Sequence, residues 1–236
     1  MTRYAERDYT NPDGTVVKIL CNPDFDMAGI GERVEIGPEA ALSLGAEIGG
    51  GARLGDGVRI CYKAEIGVGA WIGAWSRIGY NAEIGAVTRI GAGVKIGPGA
   101  VISKGAVIGA VVKIDAGARI SKGVMIGPGT EIGGGAWIGA GAEIGDGVKI
   151  GDGALIGEEA LLGDGVKIGD GAEIGKGVEI GDGALIGEGV EIGDGAEIGD
   201  DAVILNVKIS AGAEIGPDRM IVQRRQWPGD GDEYDG

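Results

Sequence analysis

Carboxylates at a fixed interval are the side chains of this sequence best placed to hold a ligand. Asp146, Asp164, Asp182 and Asp200 lie 18 residues apart, and Asp152, Asp170 and Glu188 keep the same step. If the chain repeats in space every 18 residues, each set becomes a vertical column, and stacked oxygen ligands suit Ca²⁺. The competing and favoured expectation is that Asp fills a solvated corner between glycines and caps local backbone with its side chain. Other chemistry is poorly provided for. The sequence has no His, which removes the usual general base at neutral pH and the commonest zinc ligand. Cys21 and Cys61 stand far apart without a CxxC pair, so they read as buried or idle thiols, not as a zinc site or a disulfide framework. No catalytic residue and no cofactor is nominated.

The elements that must position these residues follow from a period. The chain has 236 residues, 53 of them Gly, one Phe and a formal charge of −15, yet 44% of it is apolar and regularly spaced. An aliphatic residue recurs at every sixth position from Ile30 to Ile204, thirty times without interruption. Two residues earlier sits a small or β-branched side chain, as at Ala46, Val58, Val94 and Val148, and Gly usually follows the aliphatic residue. Two Gly in six would cost a helix about 1 kcal/mol each relative to Ala. A short strand and a tight corner accept them, with positions i−2 and i inward and i−1 outward. Asn81 takes a corner position normally held by Gly, as a residue tolerant of the left-handed region should. Six residues make one side of a prism and 18 make a coil. The expected fold is all-β, a parallel β-solenoid of about ten triangular coils. The larger inward residues Val58, Ser76, Val94, Val112, Thr130, Val148 and Val166 recur at 18 and support the coil independently.

This A/V-x-I-G-x-G pattern resembles the hexapeptide-repeat superfamily, whose members form left-handed parallel β-helices and are usually trimeric. The handedness is implied by that resemblance. Many members are acyltransferases that move an acyl group from a coenzyme A or carrier-protein thioester with a His as base, and the related gamma-class carbonic anhydrases bind zinc through three His. Neither arrangement is available here. Family enzymes also tend to extrude a loop or add a domain that shapes a pocket, whereas no hexad of this chain is interrupted. An acyltransferase without the usual His remains the alternative to a structural role. The regularity of residues 130–200 suggests recent repeat duplication or deliberate design.

The expected division is an N-terminal cap at 1–29, a β-helix at 30–209, and a C-terminal cap with an acidic tail at 210–236. The first part carries Pro12, Pro23 and one strand, Thr15 to Leu20. At the other end the step shortens between Ile204 and Ile209, the repeat returns at Ile215, Arg219 to Trp227 leaves it, and Pro228 to Gly236 is expected to be disordered. Both ends read as devices that stop further stacking. The charged Met1 to Thr10 stretch lacks the apolar run of a secretory leader, and no stretch could span a bilayer as a helix, so the expected location is the cytoplasm.

The outward i−1 residues sort into three columns. The first reads Glu47, Glu65, Glu83, Val101, Arg119, Trp137, Leu155, Glu173, Glu191. The second reads Arg53, Trp71, Arg89, Val107, Met125, Glu143, Leu161, Glu179, Glu197, and the third Arg59, Arg77, Lys95, Lys113, Glu131, Lys149, Lys167, Leu185, Val203. Compared coil by coil, every level charged in both the first and third columns is complementary, down to the reversed pair Arg119 and Glu131. Faces of one prism point apart, so the match fits parallel copies in a closed ring. The expected partner is the chain itself as a homotrimer, with Val101, Trp137 and Leu155 as the apolar part of the contact. A small-molecule substrate is not expected. A strongly acidic chain disfavours nucleic acid and anionic membrane. The basic third column leaves a polyanion-binding rod as a further alternative, although it carries no aromatic residue for base stacking. Tyr62 and Tyr80, 18 apart at a corner, with Trp75 nearby in sequence, are expected to touch the N-terminal cap or a neighbouring subunit. Thr88 and Thr130 fall at inward positions, which speaks against an outward Thr array for ice binding.

Overall fold

Each hexad bends into a two-residue strand and a corner, and every strand pairs in parallel with its equivalents one coil below and above. Arg77 stands beside Arg59 and Lys95, Glu83 beside Glu65 and Val101, and Arg89 beside Trp71 and Val107. The computed structural model describes residues 5–222, and among them the three sheets contain 13, 10 and 11 strands. The first face runs from Glu47–Ile48 to Lys208–Ile209, the second from Glu35–Ile36 to Glu214–Ile215, and the third from Ala41–Leu42 to Met220–Val222. Along most strands the first residue faces solvent and the second is buried, as the period of two requires.

The core is a stack of aliphatic side chains. Ile60, Ile78, Ile96 and Ile114 are buried one above another, with Val58, Val94 and Val112 beside them. The buried hydroxyls of that interior reach backbone carbonyls: Ser76 Oγ donates to the Gly91 carbonyl at 3.0 Å, Thr88 Oγ1 to Ser103 at 3.2 Å and Thr130 Oγ1 to Gly145 at 3.1 Å. Both threonines therefore point inward.

The two glycines of a hexad are required for different reasons. The one after the aliphatic residue lies against the next coil, and a Cβ on Gly91 would fall 2.7 Å from the backbone nitrogen of Ala110. The second has a positive φ, for example 68° at Gly117, in open space. Asn81 shares that conformation at φ 51°, and so do Val87 at 50° and Val111 at 60°. A β-branched residue there is strained.

The N-terminal end is more elaborate than one strand. β1 (Ala5–Thr10) and β2 (Val16–Cys21) form an antiparallel hairpin, and β2 joins the third face beside Ala41–Leu42. The Asn11 side chain bonds Ile36 twice, accepting its N–H at 2.8 Å and donating to its carbonyl at 3.1 Å, so one amide stands in for a missing strand at the bottom of the second face. Tyr9 Oη donates to the Val34 carbonyl at 2.9 Å beside it.

At the other end the expected exit from the repeat after Arg219 is corrected in part. Met220–Val222 pairs with Val203–Leu205 and completes a further coil with Lys208–Ile209 and Glu214–Ile215, which makes about eleven turns where ten were expected. The shortened step is absorbed because in-register pairing continues at a spacing of 17. The tail from Pro228 lies outside the described residues. Among those residues no helix is long and apolar enough to cross a membrane.

Candidate functional site

The corner carboxylates engage the backbone. Asp164 Oδ1 accepts the N–H of Asp146 at 2.7 Å, Asp182 that of Asp164 at 2.8 Å, and Asp200 that of Asp182 at 3.0 Å. Asp170 does the same for Asp152, and Asp152 for Gly134. The coil-to-coil ladder leaves over the N–H of the residue that opens a corner. An Asp from the coil above supplies the acceptor, while Pro38, Pro98, Pro128 and Pro217 stand at the same position with no N–H to satisfy. The amide each Asp caps belongs to the coil below, not to its own turn as the sequence suggested. No group of three or more His, Cys, Asp or Glu among the described residues is arranged to hold a metal ion.

The outer faces hold the remaining chemistry. On the first face Glu47, Glu65 and Glu83 stack in register, and on the third face Arg59, Arg77 and Lys95 do the same. Among the described residues none of these six forms an ion pair within the chain. Higher up, charges are answered locally: Lys113 holds Asp115 at 2.8 Å and Lys149 holds Glu131 at 3.4 Å on the third face, while Lys208 pairs with Glu191 on the first. Arg119, Trp137 and Leu155 continue the first face upward and Lys167 the third, all outward and exposed. Val101 among them is half-buried.

Two concavities lie on the first face. The lower one is lined by Phe25, Leu44, Glu47, Tyr62, Glu65 and Glu83. The upper one is lined by Trp137, Leu155, Glu173 and Glu191. Tyr80 shares the corner of Tyr62, between the third and first faces, and the Asn81 N–H bonds the Tyr62 carbonyl at 3.1 Å. Trp75 does not join them. It opens onto the corner between the second and third faces, with its ring over Gly57. Both thiols are free, and burial pushes each above its ordinary pKa.

The model of the bacterial transferase hexapeptide family, built of six repeats, matches residues 129–163 and 159–194. The match is confined to 129–194, and the chain as a whole has the hexapeptide-repeat β-helix fold. No curated protein matches its sequence. Among solved structures, it is similar to the UDP-N-acetylglucosamine O-acyltransferase of Moraxella catarrhalis, with 22% identity, 77% of this chain and 71% of that chain covered, and a TM-score of 0.34. The Campylobacter jejuni UDP-N-acetylglucosamine acyltransferase gives 18% identity, 84% and 72% coverage and 0.37, and the Arabidopsis enzyme 15%, 88% and 70%, and 0.33. Likeness at this level carries no chemistry to this hexapeptide-repeat chain.

Proposed function

We propose that this hexapeptide-repeat chain is a non-catalytic scaffold or spacer that self-associates as a parallel homotrimer, the first face of one copy against the third face of the next. The observation that supports this reading is the pair of unanswered charge ladders. Like charges directly opposite on neighbouring strands are destabilising, and Glu47, Glu65 and Glu83 on one face and Arg59, Arg77 and Lys95 on the adjacent face are stacked in that way. A parallel neighbour places each ladder against its opposite, and charge then sets register and partner choice. Above them Val101, Trp137 and Leu155 face Lys113, Lys149 and Lys167, whose stems can cover apolar surface. Acyl transfer is the weaker reading because a chain without His has no ordinary base for it.

The test is solution mass by light scattering on the wild type, on Arg77→Glu and on the combined swap of Glu65→Arg with Arg77→Glu. The wild type is expected at three chains of 23.6 kDa or a multiple of three. Arg77→Glu breaks the contact while relieving the stack on Arg59 and Lys95, so assembly falls as the isolated chain becomes more heat-stable. The swap restores assembly. A wild type that is monomeric, or a mass indifferent to Arg77→Glu, sinks the reading.

A further inference from the structure

The second face points away from the proposed seam, and its charges are divided along its length. Its lower half carries Arg53 and Arg89 on either side of Trp71, with Glu35 at the bottom holding Arg53 at 3.2 Å, its middle Val107, Met125 and Glu143, and its upper half Glu179, Glu197 and Glu214, with Leu161 below them. Trp71 is 53% exposed and Met125 46%, and Val107 and Leu161 are exposed beside the same strip. The upper part of this ridge runs along a groove floored by Gly127, Gly145 and Gly163, the residues that follow each strand.

We propose that the second face binds the second face of another copy of this chain, antiparallel, about a two-fold axis between Met125 and Glu143. In that register Arg53 meets Glu214 of the second copy, Arg89 meets Glu179, Val107 meets Leu161 and Trp71 meets the stem of Glu197. Symmetry repeats each of these contacts once, as an isologous interface must. The two columns meet face to face, and the contact spans about 43 Å at about 4.8 Å per coil. Moving the axis half a coil, onto Met125, sets Glu35 against Glu214 and takes Arg89 away from any carboxylate. Of the three faces, only this one is self-complementary. With their ends aligned, the third sets Lys95 against Lys167 and Lys113 against Lys149, and the first sets Glu65 against Glu191 and Glu83 against Glu173.

The antiparallel contact stands without the parallel seam. Where both form, each trimer offers three second faces directed outward, and copies join into an open layer. That layer rests on the trimer reading.

Arg89 suits a test because uncharged Trp71 and Val107 flank it in register, and Glu179, between Leu161 and Glu197, is the carboxylate it meets. In the Arg77→Glu chain, which lacks the seam, sedimentation and light scattering are expected to give a dimer. Adding Arg89→Glu weakens it at least tenfold, and adding Glu179→Arg as well restores it, with unchanged circular dichroism throughout. A monomeric Arg77→Glu chain at every soluble concentration overturns the proposal and leaves the apolar strip to some other partner. A dimer indifferent to Arg89→Glu also overturns it. If Arg77→Glu is dimeric but Arg89→Glu alone is monomeric, the antiparallel contact holds and the parallel trimer fails.

Discussion

Asp164 Oδ1 accepts the backbone N–H of Asp146, the residue one coil below it, at 2.7 Å. The bond supplies the acceptor that the ladder does not, so its value depends on there being an N–H to cap. Asp164→Ala is expected to destabilise the chain by about 1 kcal/mol. In the background of Asp146→Pro, which copies Pro128 one coil lower, the same substitution is expected to have almost no effect. Urea unfolding of the four proteins checks it, and an equal loss in both backgrounds would show that the carboxylate acts through something else.

The two glycines of a hexad should differ in their tolerance of Ala. At Gly91 a Cβ would meet the Ala110 nitrogen at 2.7 Å, so coils must part and the cost is expected to exceed about 4 kcal/mol. At Gly117 the space is open and only φ, 68°, is adverse, for about 1–2 kcal/mol. The converse change, Val111→Gly at φ 60°, is expected to raise the melting temperature. Thermal melts that rank Gly117→Ala as the worse substitution would refute this division.

Asn11 replaces a strand, and Asn11→Ala removes both of its bonds to Ile36. The expected loss is about 2 kcal/mol. Hydrogen exchange should accelerate first at residues 34–36 and only later in the middle coils. Uniform acceleration along the chain would mean that the N-terminal end is not where unfolding begins.

Salt should act in opposite directions on chain and assembly. Raising NaCl screens the stacked Glu47, Glu65 and Glu83 within a chain, and equally the attraction between copies. The melting temperature of the unassembled Arg77→Glu, Arg89→Glu chain is therefore expected to rise with salt while wild-type mass falls. Mass that rises with salt would point to an apolar contact instead.

Burial raises the pKa of Cys21 and Cys61 in the folded chain, with Arg7 opposing the shift at Cys21 and Arg77 and Arg59 at Cys61. A raised folded pKa keeps more protons on the folded state, so this contribution is whole below the unfolded thiol value, about 8.5, and is lost as pH climbs through the folded one. Melting temperature against pH should fall more steeply above that value in the wild type than in a Cys21→Ala, Cys61→Ser variant. The second substitution copies Ser43, which holds the same position one coil lower. Parallel curves would remove the thiols from the pH response.

The repeat carries most of this protein on its surface. A hexad is complete in itself, since alternation decides which residue of Arg77–Ile78 is buried, Gly opens the corner, and a constant step forces equal residues into register. Coil, core, faces and charge columns are therefore legible in the sequence. The corrections all involve partners that a local period does not encode. Asn11 reaches Ile36, 25 residues on, because a solenoid end leaves strand edges open. Met220–Val222 is a strand because Val203–Leu205 offers it an edge, whatever its own pattern. Trp75 and Tyr80 are five apart in sequence, yet the width of a face separates their corners. Asp164 caps the coil below because stacking brings the Asp146 amide within 2.7 Å of its carboxylate. Where side chains must reach across the stack, the outcome was decided by the distances that folding sets.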